Sequence, residues 1–245
     1  MQKPKHFYGK GVPGVDLEQL RGQLIVVEGA DGSGRSTQMD LLRNWLERRG
    51  YPTVNVGLKR SMLVSRELEQ AMGGNILGTR TLSLFYATDF ADQLENVIIP
   101  ALRSGFIVLA DRYIYTLMAR AVVRGVEPTW IRKLYSYAVK PDVTFFFDVP
   151  LKTALARILD GRTRVKYHEA GMDMGYSKDP YESFRIFQGK INQEYKRMVR
   201  EYDFIKIDAV EPPDVQQTKV REIQEAKIDL PRYRWHGPVF PRHLE

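Results

Sequence analysis

Cysteine is absent from the sequence, so no disulfide, thiolate nucleophile or cysteine-held metal contributes, and a reducing compartment such as the cytoplasm is expected. No apolar run reaches the roughly 18 residues a membrane-spanning helix needs. The opening stretch MQKPKHFYGKG lacks the apolar segment of a secretory signal, and no membrane partner is expected. Internal repeats and low-complexity tracts are missing too, which excludes solenoids and long disordered linkers. Acidic charge is in deficit: 30 Asp and Glu face 37 Lys and Arg, a formal net charge of +7. That balance suits an anionic ligand such as a nucleotide or polyphosphate; nucleic-acid binding is not expected, a basic surface being the plainer reading.

What is present is enough for one sizeable core, with 43% hydrophobic residues in 245. Short β-branched runs alternate with longer helix-period segments, the pattern of a parallel sheet covered by helices. The runs predict strands over 24–28, 53–56, 106–111, 143–149 and 204–208. Helices are predicted over 36–49, 61–72, 81–103, 116–139 with a break at Pro128, 151–159 and 181–202, and a last one after Pro212 and Pro213. Residues 1–22 read as an N-terminal extension, 23–226 as the domain, and 227–245 as a basic tail mixing Pro231, Pro238 and Pro241 with Tyr233, Trp235 and Phe240. Residues 160–180 carry no strand or helix pattern, but they hold Arg162, Arg164, Lys166 and Lys178 between glycines, which reads as an arginine-rich lid.

Directly after the first strand comes Gly29-Ala30-Asp31-Gly32-Ser33-Gly34-Arg35-Ser36-Thr37. The spacing is that of a phosphate-binding loop, in which glycines let successive N–H groups turn toward phosphate oxygens and the next helix points its positive end at them. Ser36 is placed to ligate Mg²⁺. Arg35 stands where a lysine is usual, and its planar, longer side chain bears on whether catalysis survives or only nucleotide binding. The third strand ends in Asp111-Arg112, a carboxylate for metal and a guanidinium for phosphate at the edge where α/β sheets hold ligands. Arg162 and Arg164 would supply charge to a transferring phosphoryl group.

The ordered set GADGSGRSTQ, YATDFADQLENVIIPALRSG, VLADRYIYTLMA, PDVTFFFDVPLKTALARI and IDAVEPPDVQQTKV resembles the thymidylate kinases over roughly Gln23 to Ala226. The resemblance implies an α/β P-loop NTPase, a three-layer sandwich with a five-stranded parallel sheet flanked by helices. It also implies ATP and Mg²⁺, a homodimer, and conversion of dTMP to dTDP. Residue by residue, it implies that Asp31 lies near the acceptor sugar, that Arg60 and Arg112 clamp the acceptor phosphate, and that Tyr86 is the aromatic platform for the base. Two positions depart from the pattern: Phe90 replaces an arginine that addresses the base, and Ala121 replaces a glutamine beside it, with Thr116 and Arg120 in the same segment. A different acceptor, polyphosphate as donor, or a nucleotide-binding regulatory protein without catalysis are the alternatives those departures leave open.

Overall fold

The computed structural model describes residues 4–74, 77–161 and 164–234. Five strands, β1 (Gln23–Gly29), β2 (Thr53–Gly57), β3 (Ile107–Asp111), β4 (Val143–Asp148) and β5 (Ile205–Asp208), form one parallel sheet in the order β2-β3-β1-β4-β5. All five predicted strands are found. Their apolar runs are continuous because both faces are covered: Leu24, Val26, Val108 and Phe146 enter one core, while Ile25, Val27, Leu109 and Phe147 enter the other. Each such side chain contributes about 1.5–3 kcal/mol on burial.

The helices follow the sequence with local corrections. α1 (Arg35–Arg48), α7 (Leu151–Gly161) and α9 (Pro213–Lys227) cover the second core; α2 (Ser65–Gly73), α3 (Thr79–Gln93), α5 (Ile114–Val123), α6 (Pro128–Leu134) and α8 (Pro180–Glu201) cover the first. The helix expected over 81–103 widens into a π-turn at Leu94–Ile98 before α4 (Ile99–Arg103). Pro100 has no N–H with which to continue the regular ladder at that point. The segment expected to start a helix at Ser61 starts it at Ser65, because the Ser61 hydroxyl accepts from the N–H groups of Leu63 and Val64 at 3.0 and 3.2 Å and holds a turn. The expected break at Pro128 is real. Gly125 at φ +86° stops α5, and Glu127 caps α6 through Thr129 N and Trp130 N at 2.8 and 2.6 Å.

Both flanks of the domain pack against it. Lys5, 5% exposed, pairs with Asp142; Phe7 bridges Val139; and the Tyr8 and Tyr115 hydroxyls meet. After α9, Ile228, Leu230 and Tyr233 join the second core, and Gln23 Nε2 donates to the Tyr233 hydroxyl at 2.5 Å. Trp235, Pro238, Phe240 and Pro241 lie outside the described residues.

Segment 164–179 is folded back onto the body. Gly171 and Gly175, both at φ +64°, flank a short 3₁₀ turn at Met172–Met174. Arg124 donates to both oxygens of Asp173 at 2.7 and 3.2 Å, and His168 Nε2 lies 2.6 Å from the Met72 carbonyl. Among the described residues no helix is long and apolar enough to cross a membrane.

Candidate active site

The loop after β1 closes over a space that only glycine permits. Gly32 lies at φ +80°, and a Cβ there would sit 2.3 Å from the Ala154 carbonyl of α7. Gly34, also at φ +80°, precedes α1 without a side-chain cap, which leaves the first N–H groups of that helix to a ligand. Inside the loop the Ser33 hydroxyl is buried and has no hydrogen-bond partner.

Two clusters of charge flank this loop. In the first, Arg35 is folded inward: Nε donates to Asp111 Oδ1 at 2.5 Å and Nη1 to the Gly29 carbonyl at 2.7 Å. The Ser36 hydroxyl donates to Asp111 Oδ2 at 3.0 Å. Burial works to raise the Asp111 pKa, but the charge and hydrogen bond of Arg35 outweigh it, so the carboxyl sits below its ordinary range. In the second cluster, Asp31 accepts from Arg112, from Arg120 Nη2 at 3.1 Å and from Gln188 Nε2 at 3.4 Å. Burial pulls the Arg112 pKa down, yet Asp31, Glu28 and Asp111 carry it above its usual value; Arg120 is lowered by burial and by the charge of Arg112. Thr37 is exposed on the first turn of α1.

Arg60 lies against the end of β2, its Nη1 donating to the Val56 carbonyl at 3.4 Å. Gly57 at the end of β2 pairs with Asp111, and a Cβ on Gly57 would lie 3.4 Å from the Arg60 guanidinium. A narrow cleft is lined by Gly57, Asp89, Phe90 and Arg112.

The remaining predicted residues lie deeper or outside. Tyr86 is 7% exposed and its hydroxyl donates to Met72 Sδ at 3.2 Å. Phe90 sits in an aromatic cluster, its ring 5.0 Å from Tyr113 and 5.8 Å from Tyr135. Thr116 is 1% exposed and bonded to Glu28 and Tyr195. Arg164 is exposed, and Arg162 lies outside the described residues.

The thymidylate kinase family profile matches residues 27–220, which takes in the loop, both charge clusters and all five strand ends. The chain belongs to the thymidylate kinase family. It is 39% identical to "Probable thymidylate kinase 2" of Saccharolobus solfataricus over 86% of this chain and 99% of that protein. It is 30% identical to "Probable thymidylate kinase" of Thermococcus kodakarensis over 75% and 87% of the two chains, and 32% identical to "Thymidylate kinase" of Clavibacter sepedonicus over 82% and 94%.

Sequence reading missed two residues in this thymidylate kinase family member. Glu28, 0% exposed, accepts from Tyr113 N at 2.8 Å, Thr116 N at 3.3 Å, Thr116 Oγ1 at 2.5 Å and Tyr195 OH at 2.8 Å. Asp89, 0% exposed, accepts from Lys59 N at 2.8 Å, Ser61 N at 2.9 Å and Gln93 Nε2 at 3.1 Å. Burial pushes both carboxyls up, against the pull of these donors. A signal existed for the first, an acid closing the otherwise apolar run Leu24-Ile25-Val26-Val27-Glu28 inside a strand.

Proposed function

We propose that this protein transfers the γ-phosphoryl group of ATP to dTMP, giving dTDP and ADP. Membership of the thymidylate kinase family over residues 27–220 is the observation that carries this reading. It does not favour polyphosphate as donor or a regulatory binder without catalysis.

In this reading the backbone of Gly29, Asp31, Gly32, Ser33, Gly34, Arg35, Ser36 and Thr37 holds the ATP phosphates at the N-terminus of α1. Arg60 and Arg112 hold the acceptor's 5′-phosphate, with Asp31 and Arg120 orienting it and Tyr86 stacking on the base. An oxygen of that phosphate attacks the γ-phosphorus, the new P–O bond forms, the bond to the β–γ bridging oxygen breaks, and ADP leaves with the electron pair. The attacking oxygen is already anionic, so no dedicated base is needed, and the work is positioning and charge stabilisation by Arg35, Arg112, Arg162 and Arg164.

The oxygens of Ser36 and Asp111, 3.0 Å apart at the rim of the loop, would hold Mg²⁺. Among the described residues no cluster of three His, Asp or Glu offers a metal cage, in keeping with a metal shared with substrate. When bound, that ion neutralises charge on the β- and γ-phosphates. We extend the proposal to a homodimer and to the cytoplasm. Sedimentation of the purified protein tests the homodimer.

The functional test is coupled ADP release with purified protein, ATP and Mg²⁺ against dTMP, dUMP, UMP, CMP, AMP, GMP and their deoxy forms. Turnover is expected with dTMP above all others. Silence across the panel sinks the proposal, and a different preferred base relocates its acceptor.

A further inference from the structure

Among the described residues, three non-glycine residues have left-handed backbone: Lys59 at φ +59°, Arg112 at φ +72° and Asp203 at φ +52°. Such residues persist only where their surroundings enforce the conformation. Two of the three are at the site, one being Arg112 itself and the other preceding Arg60. Each of these two turns is closed by a wholly buried carboxylate from another element.

Glu28 of β1 accepts the N–H of Tyr113, immediately after Arg112, and that of Thr116, so it caps α5 from outside the helix where Tyr113 supplies no side-chain cap. Asp89 of α3 spans the other turn, taking Lys59 N on one oxygen and Ser61 N on the other, so the backbone on both sides of Arg60 is fixed. We propose that Glu28 and Asp89 are positioning residues that lock the strained turns of Arg112 and Arg60, so that both guanidiniums face the acceptor's phosphate. The inference rests on the acceptor-binding reading of those two arginines.

The two carboxylates differ in a way that makes the idea testable. Both oxygens of Asp89 face N–H donors, so an amide NH₂ in either place meets another donor. On Glu28 only Oε1 faces backbone N–H groups, while Oε2 faces the hydroxyls of Thr116 and Tyr195, which can accept as well as donate. The same acid-to-amide change therefore has opposite consequences at the two sites. Asp89→Asn breaks its turn, whereas Glu28→Gln keeps it and Glu28→Met, of similar size, breaks it.

The experiment measures kcat and the separate KM values for dTMP and ATP in D89N, E28Q, E28M, R60A, R112A and the double variants D89N/R60A and E28M/R112A. Expected are a rise in dTMP KM on the order of tenfold in D89N and E28M, little change in E28Q, an ATP KM close to that of the unaltered protein throughout, and no further loss when D89N is added to R60A or E28M to R112A. Equal damage to both KM values, full additivity in the double variants, or E28Q as impaired as E28M overturns the inference while leaving the arginines' role intact. An unchanged dTMP KM in R60A and R112A overturns it through the reading beneath it. Should D89N not fold, E28M against E28Q carries the same test on the Arg112 turn.

Discussion

Arg35 and Asp111 form an ion pair across the mouth of the phosphate loop, Nε to Oδ1 at 2.5 Å, and the second arm of the same guanidinium rests on the Gly29 carbonyl. Both arms of the loop's cation are thus bound to protein groups. Arg35→Ala removes a preorganised donor and is expected to lower kcat about 10²–10³-fold in steady-state assays. It also removes the charge that depresses the Asp111 pKa, so any acid limb that Asp111 contributes to the kcat profile moves to higher pH. An R35A enzyme with unchanged kcat would show that the loop arginine is only structural.

The buried pair of Lys5 and Asp142 ties the first described residues to the start of β4. Asp142 also accepts from Leu24 N at 2.7 Å, so its carboxylate stays in place when the lysine goes. Lys5→Met then leaves a largely buried charge without its partner, at a cost of about 3 kcal/mol, or a fall in Tm of roughly 10 °C. Adding Asp142→Asn to K5M is expected to recover part of that loss. A melting curve of K5M that overlays the original removes this account of the N-terminal segment.

Gly32 and Gly34 share the same φ, but their surroundings differ. At Gly34 no atom lies within 4 Å of an added Cβ, whereas at Gly32 the Ala154 carbonyl blocks it at 2.3 Å. Gly34→Ala should cost only the left-handed strain, about 1–2 kcal/mol. Gly32→Ala must push the loop or α7 aside, so it should melt lower than G34A and lose ATP binding measured by calorimetry. Equal effects would place the demand on backbone conformation alone.

Asp173 holds segment 164–179 against α5 through Arg124. Burial works to raise its pKa, but the neighbouring His168 ring and the forked Arg124 contact hold it well below the ordinary carboxylate range. The sign follows from the depressed folded value. Above the unfolded pKa of about 4 both states are ionised and the contribution is complete; as pH falls below it, the unfolded chain takes up the proton first and the contribution drains away. Between pH 4 and 2, Asp173→Asn is expected to lose less stability in acid unfolding curves than the unaltered protein. Parallel curves for the two would remove Asp173 from the acid response.

Much of this architecture is legible in the sequence. The strands were visible because parallel strands buried on both faces need unbroken β-branched runs, and Leu24–Val27 and Val143–Val149 have them. The phosphate loop was visible because Gly32 and Gly34 are demanded by backbone geometry. Long-range relationships were not visible. The inward fold of Arg35 depends on Asp111, 76 residues away, and the burial of Thr116 depends on Glu28 and Tyr195 from separate elements. The aromatic neighbours of Phe90 are long-range as well, its ring standing among Tyr113, Tyr135 and Tyr137 from other elements. The apolar pattern of α3 is too uniform for its faces to be told apart by periodicity.

The central position of β1 has a consequence for synthesis. This strand is made first, yet it pairs with β3 and β4, whose residues follow by more than 80 positions. At translation rates of about 5–20 residues per second, its apolar edge waits unpaired for several seconds. Over that interval the growing chain presents the segment from Leu24 to Val27 to chaperones and to other nascent chains, and slow codons before Ile107 would lengthen the exposure.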